Sequence, residues 1–434
     1  MSTFRFIHAA DLHLDSPFIG MSGFPLVVRD VLRQSTFLAL NNLVKLAIEE
    51  KVDFVLICGD VYDLADRSLR AQIRFQKAME KLDHAEISVY IVHGNHDPED
   101  GRAAQLHWPN RVHFFSAQMV ESYVVGTGDQ ILARVHGISY LTSAVRENLA
   151  RRFQAVGDGV FEIGMLHTNV DDVSTHANYA PCTKLDLISS GMHYWALGHV
   201  HTRQVLQLAP PLVYPGNIQG RSVRELGAKG CYLVEVSEQN QSTLHFHALD
   251  AVRWFQMSVP IEGMTTEQDL KNQLELVLDR VREDSDSRPV LIRLMLTGRG
   301  PIHSVLQKGS YLAELIAELR DEEVVCAERG KHMQNPPSFV WIASVQVETG
   351  MEIDFASLCQ QKDFLGDLLR LSAPFMEDEA LFERFCAEVL EPLQQQPKAG
   401  KYLADFDVQE RLAILKAAQE LAVDLLIGDA GVTS

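Results

Sequence analysis

The stretch Phe6-Ile-His-Ala-Ala-Asp-Leu-His-Leu14 ends a short apolar run on an aspartate and a histidine that are two residues apart. The run itself, residues 4–9, is rich in β-forming side chains and predicts a strand. Residues i and i+2 of an extended chain point the same way, so Asp11 and His13 can grip one ion. A single Asp-x-His string arises by chance in roughly every second chain of this size, so its meaning depends on the rest of the sequence.

Four more polar clusters follow predicted strands further along the chain. They are Gly59-Asp60-Val-Tyr-Asp63, Gly94-Asn95-His96-Asp97, His167-Thr168 and Gly198-His199-Val-His201. Ligands of open α/β sheets bind outside the carboxyl ends of the strands, so five such clusters are expected to converge on one site. Each cluster also has a structural alternative. Asp60 could cap a helix, His167 could be a core histidine, and Gly94-Asn95-His96-Asp97 could be only a loop. Independent structural roles do not explain the shared order and strand-end placement of all five.

The side chains of these clusters define the chemistry of the expected site. Carboxylates, a carboxamide and imidazoles form a mixed oxygen and nitrogen ligand set without sulfur. Such a set suits Mn, Fe, Zn or Co better than Ca or Mg. The six cysteines are scattered without a Cys-x-x-Cys pair, so we expect reduced thiols and neither a disulfide framework nor a zinc site.

The order of predicted elements divides the 434 residues into three segments. Residues 1–250 alternate strands with helices and become more purely β later, which predicts an α/β arrangement at the start. Residues 251–348 predict a small α+β domain, and residues 349–434 predict an acidic helical tail. The predicted elements of the three segments are helices at 35–50 and 68–82, then strands at 254–260, 290–297 and 339–347 with a helix at 265–282, then helices at 379–393 and 408–427.

Composition places the chain among ordinary globular proteins, with 46% apolar and 22% charged residues. No apolar run approaches the roughly 18 residues of a transmembrane helix, and the start carries no secretory signal, so we expect a cytoplasmic protein without a membrane segment. The net charge of −19 argues against a protein that coats nucleic acid by bulk electrostatics. Residues 346–434 alone hold 7 basic and 17 acidic residues. Any polyanion must therefore bind through a local basic patch or through bound cations.

The ordered motifs D-x-H, G-D-x-x-D, G-N-H-D, H and G-H-x-H resemble those of the calcineurin-like metallophosphoesterases, and within them the SbcD-type DNA nuclease subunits. The stretch from Tyr214-Pro-Gly-Asn217 to Gly230 is similar to the bacterial YhaO-type members. The resemblance covers residues 4–237, and after residue 250 it rests on domain order. It implies an α+β fold, namely a four-layer α/β/β/α metallophosphoesterase sandwich with a small α+β capping domain and a helical C-terminal tail.

The resemblance also implies the residues of a two-metal site. One divalent ion would be held by Asp11, His13, Asp60 and His201, and the other by Asp60, Asn95, His167 and His199. Asp60 would bridge the ions, for which Mn²⁺ is the first choice and Fe, Zn, Co or Mg are alternatives. His96 would be a general acid or transition-state stabiliser beside the leaving oxygen, and Asp97 would hold its ring. Asp63 stands where archaeal and eukaryotic relatives tend to carry a histidine, so a histidine-assisted rotation of the phosphodiester does not carry over.

Basic side chains near these motifs are candidates for contact with phosphates. The predicted substrate-binding residues are Arg67, Arg70, Arg74, Asn217 and Arg221. The alternative is a solvated helix face for the first three and a loop salt bridge near the last histidines. The aromatic side chains Trp254, Phe255 and Trp341 are interpreted as core rather than as base-stacking platforms.

The sequence and the resemblance together predict a Mn-dependent exonuclease and endonuclease of DNA repair that works with an SbcC-type coiled-coil ATPase. A homodimer is an open alternative for its assembly. The competing hypotheses are a small-molecule phosphodiesterase or phosphatase, because a metal core alone does not select a substrate, and a non-catalytic DNA-end or ATPase scaffold. The tail carries an apolar stripe that predicts either packing within its own domain or docking on the ATPase. The stripe consists of Leu412, Leu415, Ala422 and Leu426.

Overall fold

The structure is a computed structural model that describes residues 3–18, 21, 23–63, 68–101, 104–127, 130–171, 179–330, 339–396, 399–400, 403 and 406–428. The strands are β1 Phe4–Ala9, β2 Phe54–Cys58, β3 Ser88–Val92, β4 Val112–Phe114, β5 Glu121–Thr127, β6 Gln130–Gly137, β7 Phe161–His167, β8 Tyr194–Gly198, β9 Gln204–Leu208, β10 Pro211–Tyr214, β11 Gly230–Val236, β12 Ser242–Ala248, β13 Arg253–Pro260, β14 Val290–Arg299 and β15 Val340–Gly350. The helices are α1 Leu26–Glu49, α2 Leu69–His84, α3 Lys184–Ser189, α4 Glu267–Asp284, α5 His303–Leu306, α6 Tyr311–Gly330, α7 Phe355–Cys359, α8 Phe364–Glu377, α9 Glu379–Gln394 and α10 Val408–Gly428, with a 3-10 helix at Leu149–Arg152.

Two six-stranded sheets form the centre of the fold. Their strand orders are β12-β11-β1-β2-β3-β4 and β5-β6-β7-β8-β10-β9. Strands β1 to β4 run parallel, as do β6, β7, β8 and β10, while β11, β12, β5 and β9 pair antiparallel at the margins. Every residue of β2 is buried, which is typical of a parallel strand covered on both faces.

Alternating residues of the strands face two different layers of packing. Phe6 and Phe54 lie between the sheets, where their rings stack with centroids 5.0 Å apart against side chains of the second sheet. Ile7 and Val55 point the other way and pack on helices α1 and α2. On the outer face of the second sheet, Trp195 packs on α3 and the 3-10 helix. The predicted α+β fold with its four-layer α/β/β/α sandwich is confirmed.

Of the two helices beside the first sheet, α2 begins and ends close to where the sequence predicts it, and α1 ends there. Helix α2 begins after Ser68, whose Oγ accepts a hydrogen bond from the backbone N–H of Ala71 at 3.3 Å, as an N-cap serine does. Helix α1 begins earlier than expected, at Leu26, because its first turns pack on a separate apolar cluster that contains Val28 and Leu32. That cluster also includes Trp254 and Trp341, in line with the core interpretation of these aromatics.

The later part of the chain contains a three-stranded sheet in the order β13-β14-β15, followed by helices. Helices α6 and α8 are not among the predicted elements, although Leu315, Ile316 and Leu319 of α6 are buried at helical spacing. In α8 the signal is weakened by Pro374, which lies inside the helix. The C-terminal helix α10 contributes Val423 to a small cluster with Leu365 and Leu369 of α8.

Two compact units are distinguished by the packing of the backbone. The first comprises residues 1–257, 276–294 and 316–344, and the second comprises residues 258–275, 295–315 and 345–434. The division predicted at residues 250 and 348 follows the order of elements along the chain rather than their packing, and it stays a prediction. No helix in the described ranges is both long and apolar enough to cross a membrane.

Candidate metal centre

Five loops meet at the carboxyl ends of the strands of both sheets. In the first sheet, the backbone N–H of Asp11 donates to the carbonyl of Gly59 at 3.1 Å, and that of His13 donates to the carbonyl of Asp60 at 2.9 Å. From the second sheet, the backbone N–H of His199 donates to both carboxylate oxygens of Asp11 at 3.1 Å. The loops after β1, β2 and β8 are thereby fixed to one another around a common point.

The backbone of this region is strained at the residues that carry the ligand side chains. Asp11, His13, Asp60 and His199 have φ angles of 52°, 43°, 49° and 101°, in the left-handed region that side chains other than glycine rarely adopt. Each such residue costs on the order of 1–3 kcal/mol and persists only where its surroundings enforce it. The backbone hydrogen bonds between the loops supply that enforcement.

A first group of possible metal ligands consists of Asp11, His13 and His201, whose ligand atoms all lie within 4.8 Å of one another. The Nε2 atoms of His13 and His201 are 3.1 Å apart, and Nε2 of His201 lies 3.9 Å from Oδ1 of Asp11. Two imidazole nitrogens that converge on a carboxylate are the donor set that a borderline divalent ion binds. The residues at this point therefore fit a metal ion.

A second group consists of Asp11, Asp60 and His167. Nε2 of His167 lies 3.4 Å from Oδ2 of Asp60 and 3.0 Å from Oδ1 of Asn95. The same Oδ2 of Asp60 lies 3.8 Å from Nε2 of His13, which belongs to the first group. Asp60 thus belongs to the second group and also approaches His13 of the first, as a carboxylate that bridges two ions does.

Hydrogen bonds from Nδ1, the ring nitrogen that faces away from the site, orient the imidazoles of His167 and His201. Nδ1 of His167 donates to the carbonyl of Cys58 at 3.0 Å, which leaves Nε2 free to act as a ligand. Nδ1 of His201 donates to Oε1 of Glu225 at 2.7 Å, in the carboxylate–histidine arrangement that supports metal-binding imidazoles. Both rings are therefore held with the nitrogen needed for coordination facing the site.

The charges of the site favour a cation beside His167. Burial opposes the charged form of His167, but the carboxylates of Asp60 and Asp11 outweigh it and raise the pKa of this imidazole to about 9. Burial also disfavours charge on Asp60, yet His167 and His13 hold the pKa of its carboxyl well below the usual value. Burial and the positive charge of Arg221 lower the pKa of His13 to about 3. A divalent ion that binds His167 at neutral pH has to displace a proton from Nε2.

His96 and Asp97 occupy different positions in the same loop. The backbone N–H of His96 donates to Oδ1 of Asp60 at 2.9 Å, and its ring Nδ1 donates to the carbonyl of Asp63 at 2.6 Å. The ring is 41% exposed. Oxygens of Asp97 accept from the backbone N–H groups of Val61 and Gly94 at 2.9 Å and 2.8 Å. These contacts let Asp97 fix the backbone of two loops, while its predicted hold on the His96 ring stays a prediction.

The predicted substrate-binding arginines of α2 do not touch the metal ligands in any contact that the structure describes. Arg67 lies outside the described residues. Arg70 pairs with Asp15 at 3.3 Å, and Arg74 donates to Gln34 at 2.7 Å, while both guanidinium groups cover the ring of Phe37. These intramolecular contacts place both side chains against α1, and their contact with substrate stays a prediction.

The last two candidates lie beside the metal ligands. Arg221 donates to Oδ1 of Asp63 at 2.6 Å and to Oγ of Ser16 at 3.2 Å. The side chain of Asn217 is fully buried, and its amide donates to Oε2 of Glu225 at 3.0 Å. Asn217 therefore acts on the carboxylate behind His201, and direct contact of Arg221 with substrate stays a prediction.

Two sets of contacts in the site were not predicted from the sequence. They are the contact of Glu225 with His201 and those of Asp63 with its neighbours. Glu225 lies in the stretch that resembles the YhaO-type members, but no spacing relates it to His201, 24 residues earlier. Oδ1 of Asp63 lies 3.0 Å from Nδ1 of His13, and a third group within 4.8 Å is formed by His13, Asp63 and His96. Asp63, the last residue of its motif, is thus part of the centre.

Two family models match this chain. The model described as calcineurin-like phosphoesterase matches residues 4–203, and the model described as the middle domain of metallophosphoesterase YhaO matches residues 254–350. Metallophosphoesterase YhaO of Bacillus subtilis (strain 168) is 35% identical over 420 residues, which are 96% of this chain and 97% of that protein. The chain belongs to the calcineurin-like phosphoesterase family. The predicted family is confirmed.

More distant relatives of this phosphoesterase have names that refer to DNA repair or to a nuclease. The DNA double-strand break repair protein Mre11 of Sulfurisphaera tokodaii is 22% identical over 71% of this chain and 77% of its own length. A component of the nuclease SbcCD of Bacillus subtilis (strain 168) is 24% identical over 55% of this chain and 68% of its own length. Membership of the family identifies the chain as a phosphoester hydrolase, and the Asp and His groups above fit the family's dual metal centre.

We expect Asp60→Ala to lose both metal ions and His96→Ala to keep them. The carboxylate of Asp60 stands between the two ligand groups, whereas His96 contacts Asp60 through a backbone N–H that alanine retains. Metal analysis of the two purified variants, loaded with Mn²⁺ and freed of excess ion, measures the difference. Loss of metal from His96→Ala would contradict the division between ligands and His96.

Glu225→Gln is expected to weaken metal binding by roughly 10- to 100-fold, as changes behind a ligating histidine do. Glutamine still accepts the hydrogen bond from His201, but the negative charge that supports its imidazole is gone. Calorimetric titration with Mn²⁺ compares this variant with Glu235→Gln, a glutamate of β11 that pairs with Arg5 at 2.9 Å. Equal affinities for the two variants would remove Glu225 from the metal centre.

Proposed function

We propose that this phosphoesterase is a Mn-dependent phosphodiesterase that cuts DNA, as an exonuclease and endonuclease of DNA repair. The proposal is carried by one observation, the two ligand groups that share Asp11 and have Asp60 between them. One ion would be held by Asp11, His13, Asp60 and His201, and the other by Asp60, Asn95, His167 and His199. The oxygen and nitrogen donor set without sulfur supports Mn²⁺ as the metal.

The proposed chemistry divides the work between bound ions and protein groups. Two divalent ions supply the Lewis acidity that activates water and offsets charge on the phosphate. His96 supplies the proton that the leaving oxygen needs. Its Nδ1 is committed to the carbonyl of Asp63, so the proton comes from Nε2 of the imidazolium.

The choice of DNA rests on the relatives and on charge. The names of the Mre11 and SbcCD relatives refer to DNA double-strand break repair and to a nuclease. A chain with a net charge of −19 meets a polyanion favourably only where cations are concentrated, and the centre would be such a place once it holds divalent ions. The alternative is a phosphodiesterase or phosphatase of small molecules, because the same centre serves both.

DNA turnover is the direct measurement. With Mn²⁺, the wild-type chain is expected to degrade linear single-stranded DNA, and His96→Ala is expected to lose at least about 100-fold in rate, the usual contribution of a general acid. His245→Ala, which removes an exposed histidine of β12 in the same unit, is the matched control and should retain full activity. Hydrolysis of bis(p-nitrophenyl) phosphate without any cleavage of DNA would favour the small-molecule alternative.

An SbcC-type coiled-coil ATPase is the proposed partner, with a homodimer as a further assembly. The C-terminal helix α10 supports this because only part of its apolar surface is used within the chain. Val423 is buried, whereas Leu421 and Leu425 are 58% and 62% exposed. Of the predicted stripe, Leu412, Leu415 and Ala422 are half-buried and Leu426 is exposed. Exposed apolar helix faces commonly bind a partner helix or a hydrophobic groove.

Docking on such an ATPase is tested with the double variant Leu421→Asp and Leu425→Asp. We expect it to abolish co-purification with a coiled-coil ATPase encoded in the neighbouring reading frame, because two charges would enter the interface. The control is Leu208→Asp, a leucine of β9 that is 76% exposed. Circular dichroism checks that both variants fold. Undiminished co-purification of the double variant would assign docking to another surface.

A further inference from the structure

A cavity of about 440 Å³ borders the metal centre within the first compact unit. Asp63, Arg221 and Glu225, which contact the metal-binding histidines, form part of its lining, and Trp254 and Arg293 form another part. Pockets for small ligands typically have volumes of roughly 300–1,000 Å³. The cavity is therefore large enough for one nucleotide-sized portion of a substrate whose reacting phosphate lies at the metal centre.

The charges next to the metal ligands already have partners. Arg221 lies 2.6 Å from Oδ1 of Asp63 and 3.6 Å from Oε1 of Glu225. Glu225 in turn accepts from Nδ1 of His201. An arginine between two carboxylates has little net charge to offer to an anion. A second cation in the cavity would be needed to bind another phosphate.

Arg293 of β14 has the properties of that second cation. Its Nε donates to Oγ of Ser344 on β15 at 3.3 Å. Within the described ranges, no carboxylate forms an ion pair with its guanidinium, although Arg253, Arg282 and Arg299 nearby in sequence all have such partners. A guanidinium has five N–H donors in a planar fork that matches a phosphate. Arg293 thus brings an unneutralised positive charge to a cavity beside a phosphoesterase centre.

The apolar part of the cavity is rigid and aromatic. The indole N–H of Trp254 donates to the carbonyl of Gly220 at 3.0 Å, which fixes the ring. Phe24 contributes a second aromatic face and packs on Trp341 with centroids 5.7 Å apart. Trp254 is 5% exposed and belongs to the core, whereas Phe24 is half-buried and its exposed part suits the sugar and base of a nucleotide. Stacking on an aromatic ring tolerates any base.

We propose that Arg293 binds a second phosphate of the substrate, next to the phosphate that is cleaved, while the intervening sugar and base lie in the cavity against Phe24. The inference rests on the proposed function and narrows it. The substrate has at least two consecutive phosphates, as an oligonucleotide has, and a lone phosphodiester does not reach Arg293. Arg293 is thus a residue that determines specificity for a nucleic-acid chain.

The test compares Arg293→Gln with Arg293→Lys and with a matched control, in Mn²⁺. The control is Arg280→Gln on α4, whose exposed guanidinium lies 3.9 Å from Asp284. The substrates are a short oligothymidylate and bis(p-nitrophenyl) phosphate. We expect Arg293→Gln to lower kcat/KM for the oligonucleotide at least about tenfold more than for the small diester, as the loss of one charge-assisted contact does. Lysine should restore part of the difference, and the control should leave the ratio of the two substrates at the wild-type value.

Binding gives a readout that is independent of turnover. Fluorescence anisotropy of the labelled oligonucleotide is measured with Mn²⁺ in the His96→Ala background, which is expected to keep the metals and to cut slowly. Adding Arg293→Gln to this background should weaken binding, with a salt dependence reduced by about 0.7 log units for one lost phosphate contact. Equal losses on both substrates, or an unchanged salt slope, would overturn the role of Arg293 and leave the proposed DNA cleavage intact. If the wild type hydrolyses only the small diester, the proposed function fails and the inference fails with it. Equal melting temperatures of the variants ensure that each result reports on the folded protein.

Discussion

The metal centre depends on the close approach of the two sheets at the carboxyl ends of their strands. A Cβ atom on Gly198 would lie 1.7 Å from the carbonyl oxygen of Cys58, and one on Gly59 would lie 2.2 Å from Nδ1 of His167. No side chain fits at either position, so the backbones of the two sheets come closer there than other residues allow. This approach lets the imidazole of His167 reach both Asp60 and the carbonyl of Cys58, and so joins ligands from different sheets into one site.

The same convergence buries several ionisable side chains at once. Asp11 and Asp60 are 1% exposed, and His13 and His167 are not exposed at all. An uncompensated buried charge costs several kcal/mol, so each carboxylate needs donors or cations around it. Asp11 receives the backbone N–H of His199, but the remaining charge favours protonation of His167. A divalent ion held by these residues would compensate the carboxylates better than a proton does, because it would bring two charges to side chains that are already held in position.

The sequence predicts the part of the site that is encoded locally. His167 ends a strand, and Asp11, Asp60 and His199 lie within two residues after one. Their convergence therefore follows from the rule that parallel strands end at one edge. Glu225 is different, because it reaches His201 through the fold of a loop and no periodic pattern records that contact. The positions of whole helices show the same limit. Helix α1 begins before the expected stretch because its first turns pack on a cluster that distant residues complete, and only tertiary structure reveals that cluster.

The balance of charge links metal binding to substrate binding. Beside the metal ligands, Arg221 is offset by Asp63 and Glu225, and the chain as a whole carries a net charge of −19. Without bound ions, the surroundings of the centre therefore offer little attraction for an anion. Bound divalent ions reverse the local field. Bound metals then raise the affinity of the centre for an anionic substrate, and bound substrate raises its affinity for the metals. This coupling is reciprocal by thermodynamic necessity. It lets an acidic protein bind a phosphodiester where the metal ligands converge, while the rest of its surface repels the polyanion.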